Sequence, residues 1–234
     1  MKLSIIIPCH NEAKNIPLIL SEYGKIIKDK ETEIILVDNN STDETAQILA
    51  SLLPKYLFAK SVFEPVRGYG SAILAGLKSA KGDCLGWTHG DMQTSPNDIL
   101  KALKLIESSN HRTDIFIKGL RHGRPFFDQA FTWGMSFFET IYLRASLYDI
   151  NGQPNIFHRS FFKRWQNPPC DFSLDLYAFY LARRDKLRII RFPVCFPERI
   201  HGQSNWNTGL VSKWKLIKRT LAFSRKLKRG NLNQ

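Results

Sequence analysis

The chain has few acids for its bases: 21 Asp and Glu stand against 34 Lys and Arg in 234 residues, a formal charge of +13. A shortage of carboxylates on this scale implies an anionic partner, whether nucleic acid, a phosphorylated small molecule or a membrane surface. Cysteine is scarce. Cys9, Cys84, Cys170 and Cys195 stand far apart with no C-x-x-C pair, which disfavours zinc or dithiol work and fits reduced thiols in a cytoplasmic protein. Long apolar runs are missing too: no window approaches the roughly 20 residues needed to cross a bilayer. The run Leu3 to Ile7 is cut by Pro8 and charged residues too early for a signal peptide. No G-x-G-x-x-G follows that run and no Walker A lysine motif occurs, which disfavours a nicotinamide or flavin dinucleotide fold and a P-loop. What remains is 43% hydrophobic, enough for the core of one α/β domain that is soluble or lies on a membrane.

Strand-like and helical patterns alternate through the first half. Leu3-Ser4-Ile5-Ile6-Ile7 is nearly continuous and β-branched, as in a strand covered on both faces of a parallel sheet. It runs into Pro8-Cys9-His10-Asn11-Glu12 and then a helical pattern from about Asn15 to Lys28. Glu33 to Val37 reads as a second strand ending in Asp38-Asn39-Asn40. Ser41 followed by Glu44 predicts a capping box opening a helix to about Leu53. A third strand near Leu57 to Phe63 leads to Arg67-Gly68-Tyr69-Gly70, whose glycines are compatible with phosphate approach, and to a helix through Ala80. Cys84 to Thr88 reads as a buried strand, followed by a helix from Pro96 to about Ser108 and a strand from Asp114 to Lys118. A period of roughly thirty residues predicts βαβ units and a parallel sheet.

Polar side chains collect where these strands end, the place at which open parallel sheets bind ligands. His89, Asp91 and Gln93 put an imidazole, a carboxylate and a carboxamide at alternate positions after the Cys84 strand, with Gly90 leaving the backbone open to a ligand. Donors of those types at that spacing suit a hard divalent cation. A plain surface turn capping the Pro96 helix is the competing reading. Asp38, at the end of the second strand, is another ligand candidate.

Beyond about residue 112 the chain turns basic and aromatic. Lys118 to Arg124 reads as a basic, glycine-containing turn, and Phe126 to Leu147 as either an amphipathic core helix or a seat for a hydrophobic chain at the membrane boundary. A strand around Asn155 to His158, a helix from about Phe172 to Arg184 and a strand from Arg188 to Phe196 follow. Residues 209–234 form a cationic amphipathic tail, with Trp214, Ile217 and Phe223 among Lys218, Arg219 and Lys226. Such a helix suits an anionic leaflet, at about 1 kcal/mol per basic residue near the surface. A solvated helix end is the alternative. Nucleic acid explains the charge but not the polar strand ends, and no nucleic-acid motif is present.

Taken together, SIIIPCHNE, ILVDNNSTDET, RGYGSAILAGL, GDMQTSP and RIHGQS resemble the ordered motifs of family 2 glycosyltransferases, and within them the dolichol-phosphate mannose synthase and polyprenyl-phosphate glycosyltransferase branch. The resemblance covers residues 3 to about 208. It implies a GT-A, Rossmann-like domain over 1–208, with a mostly parallel central sheet flanked by helices. It also implies a nucleotide-sugar donor (GDP- or UDP-linked), a divalent metal (Mg2+ or Mn2+) and inverting transfer. On this likeness Pro8, His10 and Glu12 hold the nucleotide base, Asp38 and Asn39 the base and ribose, and Gly68 lies beside the nucleotide. His89, Asp91 and Gln93 fall on the metal segment, Arg199 and Ser204 on a loop that closes on phosphate, and Asp175 on the acceptor-side carboxylate. Asp91, Asp175 and Arg199 are then the catalytic residues, and Arg121 falls on the arginine of a turn that follows a strand. The basic turn leading into an aromatic helix gives the expectation that Arg121 and Arg124 hold a lipid phosphate.

The expected reaction moves a sugar to a polyprenyl phosphate or another lipid-linked acceptor, on a protein peripheral to the inner face of the cytoplasmic membrane. A phosphate acceptor, with a second pKa of about 6, is already a nucleophile at pH 7. A saccharide hydroxyl needs a base, for which Asp175 is the first choice. The alternatives are a family 2 enzyme acting on a cell-envelope polysaccharide and a non-catalytic nucleotide-sugar-binding protein at a membrane. Four departures from the family pattern stand out: His89 for an aspartate, Asn39 for an acid, Asn205 for a lysine, and the segment Asp149 to Pro154.

Overall fold

Alternate residues of the first two strands divide the core in two. In β1 (Leu3–Cys9), Ile6 faces one apolar cluster while Ile5 and Ile7 face the other; in β2 (Thr32–Asp38), Ile35 and Val37 oppose Ile34 and Leu36 in the same way. A strand with period-two side chains that is buried on both sides is apolar on both faces, which is why residues 5–7 and 34–37 read as continuous hydrophobic runs. The buried Ser4 hydroxyl is satisfied by Glu33. The structure, a computed structural model, describes residues 2–27, 31–110, 112–197 and 210–229, with the backbone alone at 210–213, 215 and 216.

Between and after these strands come α1 (Ile16–Ile26), α2 (Thr45–Leu52), β3 (Ala59–Phe63), α3 (Tyr69–Ser79), β4 (Cys84–Trp87) and α4 (Pro96–Ser108). The second half supplies β5 (Ile115–His122), α5 (Phe126–Leu143), β6 (Asn155–His158), the short α6 (Arg159–Phe162), α7 (Ser173–Arg184), β7 (Arg188–Cys195) and α8 (Leu210–Lys228). The seven strands form one sheet in the order β3-β2-β1-β4-β6-β5-β7. All pairings are parallel except those of β6, which runs antiparallel to both β4 and β5. The mostly parallel α/β sheet expected from the sequence is present. Strand order reverses at β1, with β2 on one side and β4 on the other, and this switch point opens a crevice at their carboxyl ends.

Several local expectations change. Helix α2 begins at Thr45, and no side chain caps it. Ser41 Oγ instead accepts the Asn11 amide at 3.1 Å, so the proposed capping box does not form. Strand β5 continues four residues past Lys118, because β7 pairs with it in register out to His122 and Cys195 after β6 has ended. Arg121 therefore sits on a strand rather than in a turn. The aromatic segment forms α5, but not as a core helix: Phe126, Phe127, Trp133, Phe137 and Ile141 are exposed, and only Ser136, Glu139 and Leu143 are buried.

Helix α8 packs onto the body. Leu227 is buried in the cluster that also holds Trp87 and Tyr177, with Phe223 against it, and Ser224 Oγ donates to the Glu139 carboxylate of α5 at 2.7 Å. No described helix is long and apolar enough to cross a membrane.

Candidate functional site

A cavity of about 1140 Å³ lies at the switch point, where the carboxyl ends of β1 and β4 meet the loops that follow them. It brings together Pro8, His10 and Glu12 of the first loop, Asn39, Gly68, the trio His89, Asp91 and Gln93, Arg121 and Asp175. Two expected residues are not among those lining it, Asp38 and Arg124. Arg199 and Ser204 lie outside the described residues, as does Asn205.

The first loop is held by the loop after β2. Thr45 Oγ1 accepts the Glu12 amide at 2.9 Å, Asp43 accepts the Ala13 amide at 3.3 Å, and the Asn11 side chain accepts the Thr42 amide at 2.8 Å. These contacts satisfy backbone donors that neither strand nor helix uses, and they fix His10 and Glu12 at the cavity edge. The His10 ring lies 2.9 Å from the Asn39 carbonyl through Nδ1. Asp38 turns away and its carboxylate accepts the Ser41 amide at 3.1 Å, closing the turn after β2.

Asn39 explains its own departure from an acid. Its amide nitrogen donates to the carbonyls of Val66 at 2.8 Å and Glu64 at 3.2 Å, and its oxygen accepts the Gly68 amide at 2.7 Å. An aspartate has no hydrogen to donate and would set a charge against two carbonyl oxygens. The glycines of this loop serve packing rather than phosphate approach. A Cβ on Gly68 would lie 2.5 Å from the Cys170 carbonyl oxygen, and one on Gly70 would lie 2.4 Å from that of Pro169. Gly90 is similar: its Cβ would stand 2.8 Å from the Pro8 oxygen, so this glycine lets the turn after β4 pack on the end of β1.

Within that turn Asp91 is buried and accepts the Gln93 amide at 3.1 Å, while the Gln93 side chain donates to the Pro197 carbonyl at 2.8 Å. The Thr88 and Thr94 hydroxyls, 2.7 Å apart, close its base. The His89 ring meets Phe196 edge to face at 5.5 Å. Among the described residues no three His, Cys, Asp or Glu side chains gather into a complete metal cage. An imidazole and a carboxylate facing one cavity fit a cation bound in a different way, with one or two protein donors and the remaining positions filled by ligand phosphate oxygens and water.

Further along, Arg121 is committed to Asp149. Its Nε donates to Oδ1 at 2.9 Å, its Nη2 to the same oxygen, and its backbone amide to Oδ2 at 2.9 Å. Burial opposes ionisation of Asp149, but the Arg121 charge and hydrogen bonds outweigh it and hold the carboxyl below the usual carboxylate range. Arg124 donates to Thr132 of α5 at 3.1 Å. Asp175 is also heavily engaged. It accepts from Trp87 Nε1 at 3.0 Å, Asn155 Nδ2 at 3.0 Å and the Tyr69 hydroxyl at 2.9 Å. Behind Asn155 lies Lys118, fully buried, donating to Asn155 Oδ1 and the Gly152 carbonyl at 2.7 Å each. Burial pushes its ammonium down to about 7, partly offset by the Asp175 charge.

Sequence reasoning missed Tyr69 as the link between α3 and Asp175, Lys118 as a buried cation, and Arg219 and Lys226 of α8 as cavity residues. The i, i+3, i+4, i+7 spacing of Arg219, Ala222, Phe223 and Lys226 was available as a signal that one face of α8 turns the same way.

A switched parallel sheet with carboxylate, imidazole and first-loop polar groups at its carboxyl edge is an α/β arrangement with a ligand crevice at the switch point. The chain belongs to glycosyl transferase family 2, whose model matches residues 4–170. It is 33% identical over 117 residues to a dolichol-phosphate mannosyltransferase of Pyrococcus furiosus, a stretch that covers 50% of this chain and 32% of that protein. It is 34% identical over 110 residues to an undecaprenyl-phosphate 4-deoxy-4-formamido-L-arabinose transferase of Photorhabdus laumondii, covering 45% and 34%. The match thus spans about a third of the length of these curated relatives. Among solved structures, glucosyl-3-phosphoglycerate synthase from Mycobacterium tuberculosis, crystallised with Mn2+, UDP and glucosyl-3-phosphoglycerate, superposes with a TM-score of 0.71 at 16% identity. That superposition covers 98% of this chain and 80% of the other, and the shared fold is GT-A.

Proposed function

We propose that the protein is an inverting, metal-assisted transferase that moves a sugar from a nucleotide-sugar donor, UDP- or GDP-linked, onto a polyprenyl phosphate at the inner face of the cytoplasmic membrane. The observation that carries this reading is the convergence of the first loop, Asn39, His89 and Asp91 on one cavity at the switch point of the sheet. Pro8, His10 and Glu12 form the side for the nucleoside. His89 and Asp91 would hold Mn2+ or Mg2+, with Gln93 beside them. The bound cation would neutralise charge on the departing diphosphate, as Lewis-acid ions do at phosphoryl oxygens.

The state of Asp175 favours a phosphate acceptor over a hydroxyl. Three of the roughly four lone-pair directions of its carboxylate are taken by donors from Trp87, Asn155 and Tyr69. A group so occupied is suited to fixing the cavity floor, not to taking a proton from a sugar hydroxyl. A polyprenyl phosphate is largely dianionic at pH 7 and attacks without a base. The exposed aromatic face of α5 supplies an apolar surface of the kind that lies in a lipid headgroup region. The match to relatives named for dolichol-phosphate and undecaprenyl-phosphate transfer supports the same acceptor class.

The test is direct. Protein, Mn2+ and a panel of radiolabelled UDP- and GDP-sugars are incubated with and without undecaprenyl phosphate. Label in the organic phase only when lipid is present supports the reading; label in soluble saccharide, or none, refutes it.

A further inference from the structure

The two arginines expected to hold the acceptor phosphate are poorly placed to do so. Arg121 lines the cavity, but its guanidinium is bound to Asp149 and stacked 5.3 Å from the Phe196 ring. Arg124 bonds to α5 and does not line the cavity. Cations reach the cavity from another direction. Helix α8 turns Arg219, Ala222, Phe223 and Lys226 to it along a single face.

This face is well anchored. Ser224 is tied to Glu139, Leu227 is buried, and Lys228 lies 4.2 Å over the Tyr142 ring of α5. Arg219 stands 5.6 Å over the Phe172 ring, Phe172 stacks on Tyr69 at 4.4 Å, and the Tyr69 hydroxyl donates to Asp175. A guanidinium is thus stacked through two rings onto the carboxylate at the cavity floor. Its ion pair with Asp171, at 3.4 Å, is one-third exposed on the arginine side and 40% exposed on the aspartate side. The Arg219 Nε is itself buried, but the Asp171 carboxylate is partly exposed and both residues line the cavity, so a dianion entering it competes with Asp171 for the guanidinium. Arginine's planar fork and lysine's ammonium together match a phosphate monoester. Next to α8, the exposed stripe of α5 offers a bed for an apolar chain.

We infer that Arg219 and Lys226 form the acceptor-phosphate site, a phosphomonoester clamp carried by the last helix, with the acceptor's hydrocarbon chain laid against α5. The inference rests on the lipid-phosphate reading above and deepens it. It accounts for an Arg121 neutralised by Asp149, within the segment where the sequence departs from the family pattern.

The test measures binding of citronellyl phosphate and of 3-phosphoglycerate by calorimetry to the intact protein, to Lys226→Gln and to Arg219→Gln/Lys226→Gln, with UDP and Mn2+ affinity as the internal reference. Lys226 is exposed, so the single variant keeps the fold even where loss of Arg219 disturbs the loop at Asp171. The expected result is a three- to tenfold loss of citronellyl phosphate affinity in the single variant, more than tenfold in the double, and an unchanged nucleotide affinity. Unchanged prenyl-phosphate affinity in both variants, or no binding to the wild type, overturns the site. Equal affinity for 3-phosphoglycerate, lost in the same variants, supports the clamp and identifies its source as a soluble phosphomonoester. Transfer assays separate the two claims. A wild type that binds prenyl phosphate through these residues but transfers no sugar to it upholds the clamp and refutes the proposed reaction. Variants that transfer with wild-type KM for the lipid refute the clamp alone.

Discussion

Asn39 and Gly68, 29 residues apart, are joined by a 2.7 Å hydrogen bond in which the side-chain oxygen of the first accepts the backbone amide of the second. With the same side chain donating to Glu64 and Val66, one carboxamide holds the whole loop between β3 and α3 against the end of β2. Asn39→Asp should therefore destabilise the protein by about 1–3 kcal/mol, the usual cost of leaving buried partners unmatched. Urea denaturation at pH 7 checks this, and a variant as stable as the wild type would show that the loop is held by other contacts.

The proposed cation site makes a paired prediction. Asp91→Asn should remove most of the gain in UDP or GDP affinity that Mn2+ brings, by tenfold or more, because the strongest oxygen donor loses its charge. His89→Asp should have the opposite sign for Mg2+, since a second hard carboxylate favours that ion over an imidazole donor. Nucleotide calorimetry with each ion reads both. Equal Mg2+ and Mn2+ dependence in all three proteins would count against the trio as the metal segment.

Lys118 gives stability a pH dependence of definite sign. Burial pushes its ammonium from 10.5 down to about 7, so between those values the unfolded chain binds more protons than the folded one. The penalty of the buried charge is present in full below about pH 7 and is relieved as pH rises toward 10.5. Urea midpoints should rise across that window. Lys118→Met should flatten the profile while lowering stability overall, because the Gly152 carbonyl and Asn155 lose their donor.

Glu139 works in the other direction. Burial lifts its carboxyl from 4.5 to about 7, opposed by the Ser224 hydrogen bond. The folded state here binds the extra proton between 4.5 and 7, so this stabilisation is complete below about pH 4.5 and is lost as pH climbs through 7. Glu139→Gln keeps a neutral partner for Ser224 and should hold α8 in place at pH 8 by up to a few kcal/mol more than the wild type does. Hydrogen exchange along α8 at pH 6 and pH 8 measures it; identical profiles in both proteins would remove Glu139 as the cause.

The exposed rings of α5 allow a test of membrane contact independent of chemistry. Phe126→Ser/Phe127→Ser should leave thermal stability within about 0.5 kcal/mol, since surface substitutions rarely do more. It should reduce sedimentation with phosphatidylglycerol vesicles severalfold. Trp133 fluorescence, with the ring held 2.7 Å from the Tyr148 hydroxyl, reports insertion in parallel.

How much of this was legible beforehand depended on range. β1 and β2 were readable because a doubly buried strand is apolar on both faces, as residues 5–7 and 34–37 are, and the polar groups at their ends followed at once. The first loop, Asn39 and the 89–93 turn came together as expected because each lies within a few residues of a strand end. Arg121 did not behave as expected because its partner, Asp149, lies 28 residues away in a segment with no periodic signal. The extra length of β5 was likewise set by β7, far along the chain. The capping box failed because Ser41 was claimed by the Asn11 amide, a competitor that no local pattern displays. Polar pairings across long separations carry no period, and the packing of α8 was hidden for a similar reason: its basic amphipathic pattern does not display that Leu227 enters the core with Phe223 against it.

The wall that α8 lends to the cavity means that the C-terminal segment and the sheet cannot be treated as interchangeable modules. Deleting residues 210–229 should open the pocket on one side, because Arg219, Ala222, Phe223 and Lys226 line it. If the proposed phosphate clamp holds, acceptor choice would change through this helix alone, with the strand ends that face the first loop left as they are.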